Sequence, residues 1–469
     1  MANSSNMSKR YKDYQPDQMM LLPPSLEEWL PEGHLARFIN DVVDEMDLSR
    51  ITRWYEKGLR GQPRYNPRMM VKVLFYAWAT GTLSSRQIAR RLYDDVAFRY
   101  LSANTRPDFR TINNFRQRHR DEMMHLFAQL VQVAVKAGIA TLRHISVDGT
   151  KIKANASKHK AMSYGWMKKE KEELEAEIKE LLAKAEAIDR QEDEEFGADR
   201  QDDFPTELAF REKRLAKIKE AMTALEAEAA AKAEEGHKSG SGDHSDHPGN
   251  STAPSDRPPA APDPKAQRNF SDPESRIMLS ADKAFIQAYN AQLAVDSDNQ
   301  IIVAALVTNQ ANDKGLLTPM VEMTRQIGGR AADKVSADAG YFNQAELQEL
   351  EDRGIDVLVP PDKMRHGRKL DPALRGRIPS SLSYPDRTRR KLRAKRGREG
   401  YAKRMITVEP VFGEIKRGLR FTQFLTRGLK NVSVEWICVA IGHNLRKLAL
   451  FSRHVLDTMR KLLAAAAWA

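Results

Sequence analysis

His144–Ile152 reads HISVDGTKI. Ile145 and Val147 alternate with small or polar neighbours and Gly149-Thr150 interrupts the run, so a half-buried strand is expected to end at Asp148. A strand is a rigid mount for a carboxylate. An Asp-Gly pair by itself is more often a turn without chemistry, so its meaning depends on what the rest of the chain sets beside it.

The arrangement returns at Lys334–Ala339 (KVSADA), where Val335-Ser336-Ala337 leads into Asp338 and then Gly340. Two strand-end aspartates, 190 residues apart but on strands that can be neighbours, are what a divalent-metal site requires. A third acid, Glu409, follows Arg387–Arg404 (RTRRKLRAKRGREGYAKR), which holds ten Lys/Arg against one acid. Such density repels itself unless countered, and phosphates are the obvious counter-charge for Arg389, Arg390, Lys391 and Arg393. Pro410 is expected to open a helix in which Val411, Ile415 and Leu419 run four apart, placing Glu409 at its entrance and Lys416 on nearly the same face. Glu414 falls roughly 140° away around that helix and should face elsewhere.

Helical spacing dominates from Leu26 to Gly138. Ser25 and Glu28 make a capping box for a helix at Leu26–Leu30, Pro67 opens the apolar Arg68–Thr80, and Ser84 starts Ser84–Tyr100. After the breaker Asn104–Pro107, Asp108 caps a helix whose Phe109, Ile112, Phe115, His119 and Met123 face inward. Arg110, Asn113, Asn114 and Gln117 share its outer surface and offer donors for phosphates and bases, as the second helix of a helix-turn-helix would.

Between the two aspartates, residues 158–270 interrupt the pattern with a net charge of −7, leaving +19 on the remainder of a chain of net +12. Leu174, Ile178, Leu181 and Ile188, then Leu215, Ile218, Met222 and Leu225, mark two helices of an antiparallel hairpin. The Gly/Ser/Pro/Asp-rich run after it reads as disordered. Strands resume at Phe285–Ser297 and Gln300–Thr308 around the turn Asp298-Asn299, then alternate with helices to Ile355–Val359. The expected chain is α/β. It has an arm at 1–25, an all-helical DNA-binding domain at 26–138, and a mixed-sheet catalytic domain at 139–157 and 271–450. The helical hairpin at 158–235, a disordered linker at 236–270 and a C-terminal helix at 451–469 complete it.

Composition narrows the class. The single cysteine, Cys438, excludes a disulfide framework and a multi-cysteine zinc site. No apolar stretch approaches the ~20 residues of a membrane span, and the start, MANSSNMSKRYKDYQ, lacks the apolar segment of a signal peptide. A soluble cytoplasmic, nucleoid-associated protein with no membrane partner is expected.

VDGTKI (Val147–Ile152), SADAGYFN (Ser336–Asn343), and YAKR (Tyr401–Arg404) followed by VEPVFGEIKRG (Val408–Gly418) together resemble the bacterial insertion-sequence transposases of the DDE class. The resemblance runs to about Leu448 and implies a ribonuclease H-like core. It further implies that Asp148, Asp338 and Glu409 are catalytic and bind two Mg²⁺ ions. Carboxylate-only ligation admits Mn²⁺ as well and disfavours zinc. A Tyr-Arg-Glu-Lys signature that contacts element-end DNA is matched by Tyr401, Arg404, Glu409 and Lys416, except that four residues separate Arg404 from Glu409 where the family has three. The implied partners are DNA, both element ends and target, and a second copy of the chain when two ends are paired. The implied reaction is metal-dependent strand cleavage and strand transfer. A nuclease without strand transfer, and a regulator with an inactive core, are the alternatives.

Overall fold

The computed structural model describes residues 25–56, 64–157, 160–196, 206–238, 261–280, 282–362, 376, 378–379 and 381–466. The arm at 1–25, Ser25 excepted, and 239–260 of the linker lie outside the described residues. The first part is helical: α1 (Leu35–Asp44), α2 (Ser49–Glu56), α3 (Pro67–Ala79), α4 (Ser85–Asp94), α5 (Val96–Leu101), α6 (Phe109–Arg118) and α7 (Arg120–Lys136). Three expectations change here. Leu26–Leu30 is a series of turns, because Pro31 and Gly33 follow too soon for a helix to propagate. Ser84–Tyr100 breaks at Asp95, whose carboxylate accepts from the Ala97 and Phe98 amides at 2.9 and 3.3 Å and restarts the chain as α5. Asp108 caps α6 through the Arg110 and Thr111 amides, but α6 ends before His119, so Met123 belongs to α7, and Phe109 is exposed.

Next comes β1 (Ile145–Lys153), then β2 (Ala161–Ser163), α8 (Tyr164–Phe196), α9 (Thr206–Lys238), β3 (Gln267–Asn269), β4 (Arg276–Leu279), β5 (Phe285–Asp296) and β6 (Ile302–Thr308). The chain continues through α10 (Leu317–Gly328), β7 (Lys334–Ser336), α11 (Gln344–Asp352), β8 (Asp356–Leu358), α12 (Tyr384–Arg393), α13 (Lys395–Gly413), α14 (Leu429–Ala449) and α15 (Ser452–Ala466). The main sheet runs β4-β5-β1-β7-β8, with β6 also on β5. Within it β1 is antiparallel to β5 and parallel to β7. A crossover through 158–270 separates β1 from its partners in sequence, which the sheet heals by pairing.

The strand expected to end at Asp148 instead continues to Lys153. Gly149 does not turn the chain. It sits opposite Gln292 of β5, where a Cβ would collide with the Gln292 amide. Glycine is required there by close approach across the ladder.

The helical region and the sheet share one continuous core rather than two. α14 packs at once on β6, α3 and α7, and Gly442 lets it approach α3 so closely that a side chain would meet the Trp78 backbone. The hairpin α8–α9 has its own small core of Met167, Leu174, Ile218, Ala221, Met222 and Leu225. Ion pairs Arg211–Glu177, Arg214–Glu170 and Lys219–Glu175, at 2.8, 2.6 and 2.8 Å, tie its helices together. Of the segment read as a linker, Gly236–Lys238 still belong to α9, and Gln267–Asn269 pair as β3 with β2.

Pro410 lies inside α13 rather than at its start. The break it should cause is repaired from outside: the carbonyl four residues earlier, Ile406, accepts from the Gln300 side-chain amide at 2.8 Å. Glu409 is therefore borne on an unbroken helix, which then widens into a π turn at Glu414–Gly418.

Candidate functional site

β1 and β7 run side by side in parallel, with Ser146 paired to Ser336. Their hydroxyl oxygens are 3.0 Å apart, and His144 Nε2 lies 3.0 Å from Ser336 Oγ. Asp148 and Asp338 each stand two residues past this serine pair, so the two acids come level, Asp148 inside β1 and Asp338 just beyond the end of β7. β7 stops at Ser336, two residues short of Asp338, which instead caps the tight turn Ala339–Tyr341, its Oδ1 accepting from the Gly340 amide at 2.8 Å.

Along β1, side-chain alternation sends Asp148 and Thr150 to the face covered by α13 and Gly149 and Lys151 to the other. On the α13 face Arg404 Nη1 donates to Asp148 Oδ2 at 2.9 Å and its Nη2 reaches Glu409 Oε1 at 3.5 Å. The guanidinium thus bridges the first and third acids, even though five positions of helix would turn Arg404 and Glu409 onto different faces. Tyr401 lies under the same group, with its ring centre 5.9 Å from the guanidinium carbon. Lys416 Nζ donates to Thr150 Oγ1 at 2.6 Å. Of the Tyr-Arg-Glu-Lys signature, Arg404 and Lys416 thus bond β1 directly, and Tyr401 and Glu409 lie against Arg404.

Burial first, and then the Asp338 and Asp313 carboxylates, push Asp148 up to about 7 against the pull of Arg404. Burial pulls Lys416 down, opposed by Asp148 and Asp282. Asp313 is an acid that the sequence reading missed. Its Oδ1 accepts from Asn290 Nδ2 at 2.7 Å, Gln292 Nε2 at 2.8 Å and Lys151 Nζ at 3.3 Å. Tyr341 in turn donates to Gln292 Oε1. A signal for this buried network was present: Asn290 and Gln292 are polar positions two apart, on one face in the middle of the strand FIQAYNAQLAVD. Glu414 turns away as expected, to His443 and Arg446 at 3.0 and 3.3 Å.

Among the described residues no three acidic, histidine or cysteine side chains already converge on one point. The donor set nonetheless fits a hard divalent cation. Asp148, Asp338 and Glu409 offer oxygen only, and the desolvated Asp148 is crowded by two further carboxylates whose repulsion a cation would relieve. Arg404 supplies the positive charge between Asp148 and Glu409.

The residues expected at DNA divide into two kinds. On α6, Arg110, Asn114 and Gln117 are exposed, whereas Asn113 is half-buried and accepts from Arg116 at 3.1 Å. In the basic segment Arg389 is held by Asp362 and Asp386, at 2.7 and 2.6 Å, and Lys391 by Glu351 and Asp356, at 2.8 Å each. Arg390 is half-buried and donates to the Gly376 carbonyl at 3.4 Å. Arg393 is exposed, as are Lys395, Arg396 and Arg398, which the sequence reading did not single out; among the described residues these four make no ion pair. No helix among the described residues is long and apolar enough to cross a membrane.

Residues 24–118 match the family model described as Transposase domain (DUF772), and residues 263–445 match that of the Transposase DDE domain. The first covers α1 to α6, and the second contains Asp338, Tyr401, Arg404, Glu409 and Lys416. Asp148 falls between the two matched stretches. No curated protein and no solved structure matches the chain.

Proposed function

We propose that this chain, which belongs to the insertion-sequence transposases of the DDE class, binds the ends of its element, cleaves the strand beside them and joins the freed 3′-hydroxyl to target DNA. Asp148, Asp338 and Glu409 are its catalytic acids. The observation that carries this reading is the convergence of three distant segments: two aspartates stand level on adjacent parallel strands, Asp148 inside β1 and Asp338 just past β7, and Glu409 is tied to the first of them through Arg404. That arrangement on a mixed sheet also supports a ribonuclease H-like core.

Asp148, Asp338 and Glu409 would hold the Mg²⁺ ions, which supply charge neutralisation at the attacking and leaving oxygens of an in-line displacement. The chain's own groups do the positioning. Arg404 fixes Asp148 and Glu409 toward each other and leaves a cationic surface for a phosphate. Lys416, anchored on Thr150, adds a second positive charge on the same face. Arg393, Lys395, Arg396 and Arg398 hold the flanking backbone, while α6 reads base edges with Arg110, Asn114 and Gln117. Two copies act together when two ends are paired, on the DNA of the cytoplasmic nucleoid.

The test is purified protein with Mg²⁺, a labelled element end and a supercoiled target plasmid, scored for nicks and for joined products. Joined products are expected. Nicks alone would reduce the chain to a nuclease, and neither product would leave a DNA-binding protein with an inactive core.

A further inference from the structure

The insertion is acidic as a whole, yet its base is not. A cavity of about 450 Å³ opens where the start of α9 meets β2 and the residues after β3. Phe210, Lys213, Arg214 and Lys217 form one stripe of α9, at helical spacings of three and four, along its wall. Lys160 stands on the opposite wall, and Met162, Ile218 and Phe270 make the floor.

Three features single this place out. Arg211, Arg214 and Lys219 on the same part of α9 are each paired with a glutamate of α8, whereas Lys213, Lys217 and Lys160 are exposed and make no ion pair among the described residues. Lys213 and Lys217 also stand four residues apart, where like charges repel unless a counter-ion is present. Finally, Phe210 is 67 % exposed, although the hairpin has an apolar core of its own close by.

Resting on the reading of the chain as an end-binding transposase, we propose that this cavity is a binding site for unpaired DNA. The lysines would take the phosphates, and Phe210 with the apolar floor would take a base. Duplex DNA satisfies only half of the lining, since its bases are stacked and a backbone has no use for an exposed ring. A free strand satisfies both, because every base has a face that stacks on an aromatic side chain while its phosphates track a cationic rim. A second copy of the hairpin is disfavoured: a two-fold contact through Phe210 would bring the same lysines of both copies together. Unpaired strand is available wherever an end is opened beside the cleavage point, and the site lies outside the three catalytic acids.

The experiment measures binding of the full-length chain to two labelled DNAs, a blunt element end and the same end bearing a short unpaired tail. The tail should tighten binding by about tenfold in the wild type, within the range of one stacked base. That gain should vanish in Phe210→Ala and in Lys213→Glu with Lys217→Glu, and should survive in Lys213→Arg with Lys217→Arg. Blunt-end binding should be the same in all of them, which also reports intact folding. A wild type indifferent to the tail, or a gain that persists in the alanine and glutamate variants, overturns the site. So does a loss of dimer on size exclusion with the gain unchanged, which would assign Phe210 to a second copy. A wild type that binds neither DNA overturns the end-binding reading itself, and the site with it.

Discussion

The side-chain amide of Gln300 donates to the carbonyl of Ile406 at 2.8 Å, four residues before Pro410. Proline has no N–H to offer that carbonyl, so an amide from the β5–β6 turn takes over the missing helical bond. Gln300 is itself held, its Oε1 accepting from Lys447 Nζ at 2.7 Å. The turn between two strands therefore satisfies the carbonyl that Pro410 leaves open in the helix that carries Glu409.

Gln300→Ala should cost about 1 kcal/mol in a denaturant titration, the net value of a hydrogen bond whose carbonyl water can reach. It should also slow nicking by displacing Glu409. Adding Pro410→Ala should recover part of both, because an alanine amide can reach Ile406 by itself. A double variant no better than Gln300→Ala would show that the amide acts elsewhere.

Asp148→Asn, Asp338→Asn and Glu409→Gln should each abolish nicking while leaving element-end binding nearly intact, since each removes charge with little change in shape. Binding by gel shift and nicking of a labelled end are measured on the same preparations. An active variant removes its residue from the site. Glu414→Gln should retain nicking chemistry but lose stability, by about 1–2 kcal/mol, because its partners are His443 and Arg446 rather than the acids.

Arg404→Lys should bind blunt ends but cut them poorly. A lysine reaches one carboxylate and not two, so the bridge from Asp148 at 2.9 Å to Glu409 at 3.5 Å is broken. Wild-type rates in this variant would reduce the bridge to a surface ion pair.

Neutralising Arg393, Lys395, Arg396 and Arg398 should weaken binding to every DNA and flatten its salt dependence by roughly one unit of slope for each phosphate left without its cation. Arg389→Gln and Lys391→Gln should do so less, their charges being spent on Asp362, Asp386, Glu351 and Asp356. Asn114 and Gln117 variants should shift preference among end sequences. Equal weakening on all sequences would take α6 out of base readout.

The stability that His144 and His119 contribute should fall as pH drops from about 6.5 to about 4, opposed by Asp148, which is held up to about 7 and takes its proton in the fold across the same window. Burial holds both His144 and His119 down to about 4. Between those limits the unfolded histidines bind protons that the folded ones refuse, so their contribution is full above the window, is lost through it, and is flat below it. Each histidine contributes on the order of 3 kcal/mol. Urea midpoints should fall more steeply with decreasing pH across this range in the wild type than in His144→Gln. An unchanged slope would mean that His144 takes its proton in the fold.

The sequence by itself determined most of the local structure and singled out Asp148, Asp338 and Glu409 as candidate acids. Asp108 caps α6, the strands from Phe285 to Leu358 fall within a few residues of their expected places, and the hairpin seam closes on Leu174, Ile218, Met222 and Leu225. These follow from periodicity and capping, which act over one or two turns of chain. What only the tertiary structure decided is longer in range. Gly149 reads as a turn until Gln292 is known to stand opposite it, and Pro410 reads as a helix start until Gln300 is known to bond Ile406. Asp313 has no local mark, because its partners Lys151, Asn290 and Gln292 come from two other strands. Lys391 looks free in sequence, since the acids that pair it, Glu351 and Asp356, lie up to 40 residues away. In each case the deciding atom belongs to a segment that chain-local forces cannot bring near, and only packing of the shared core places it.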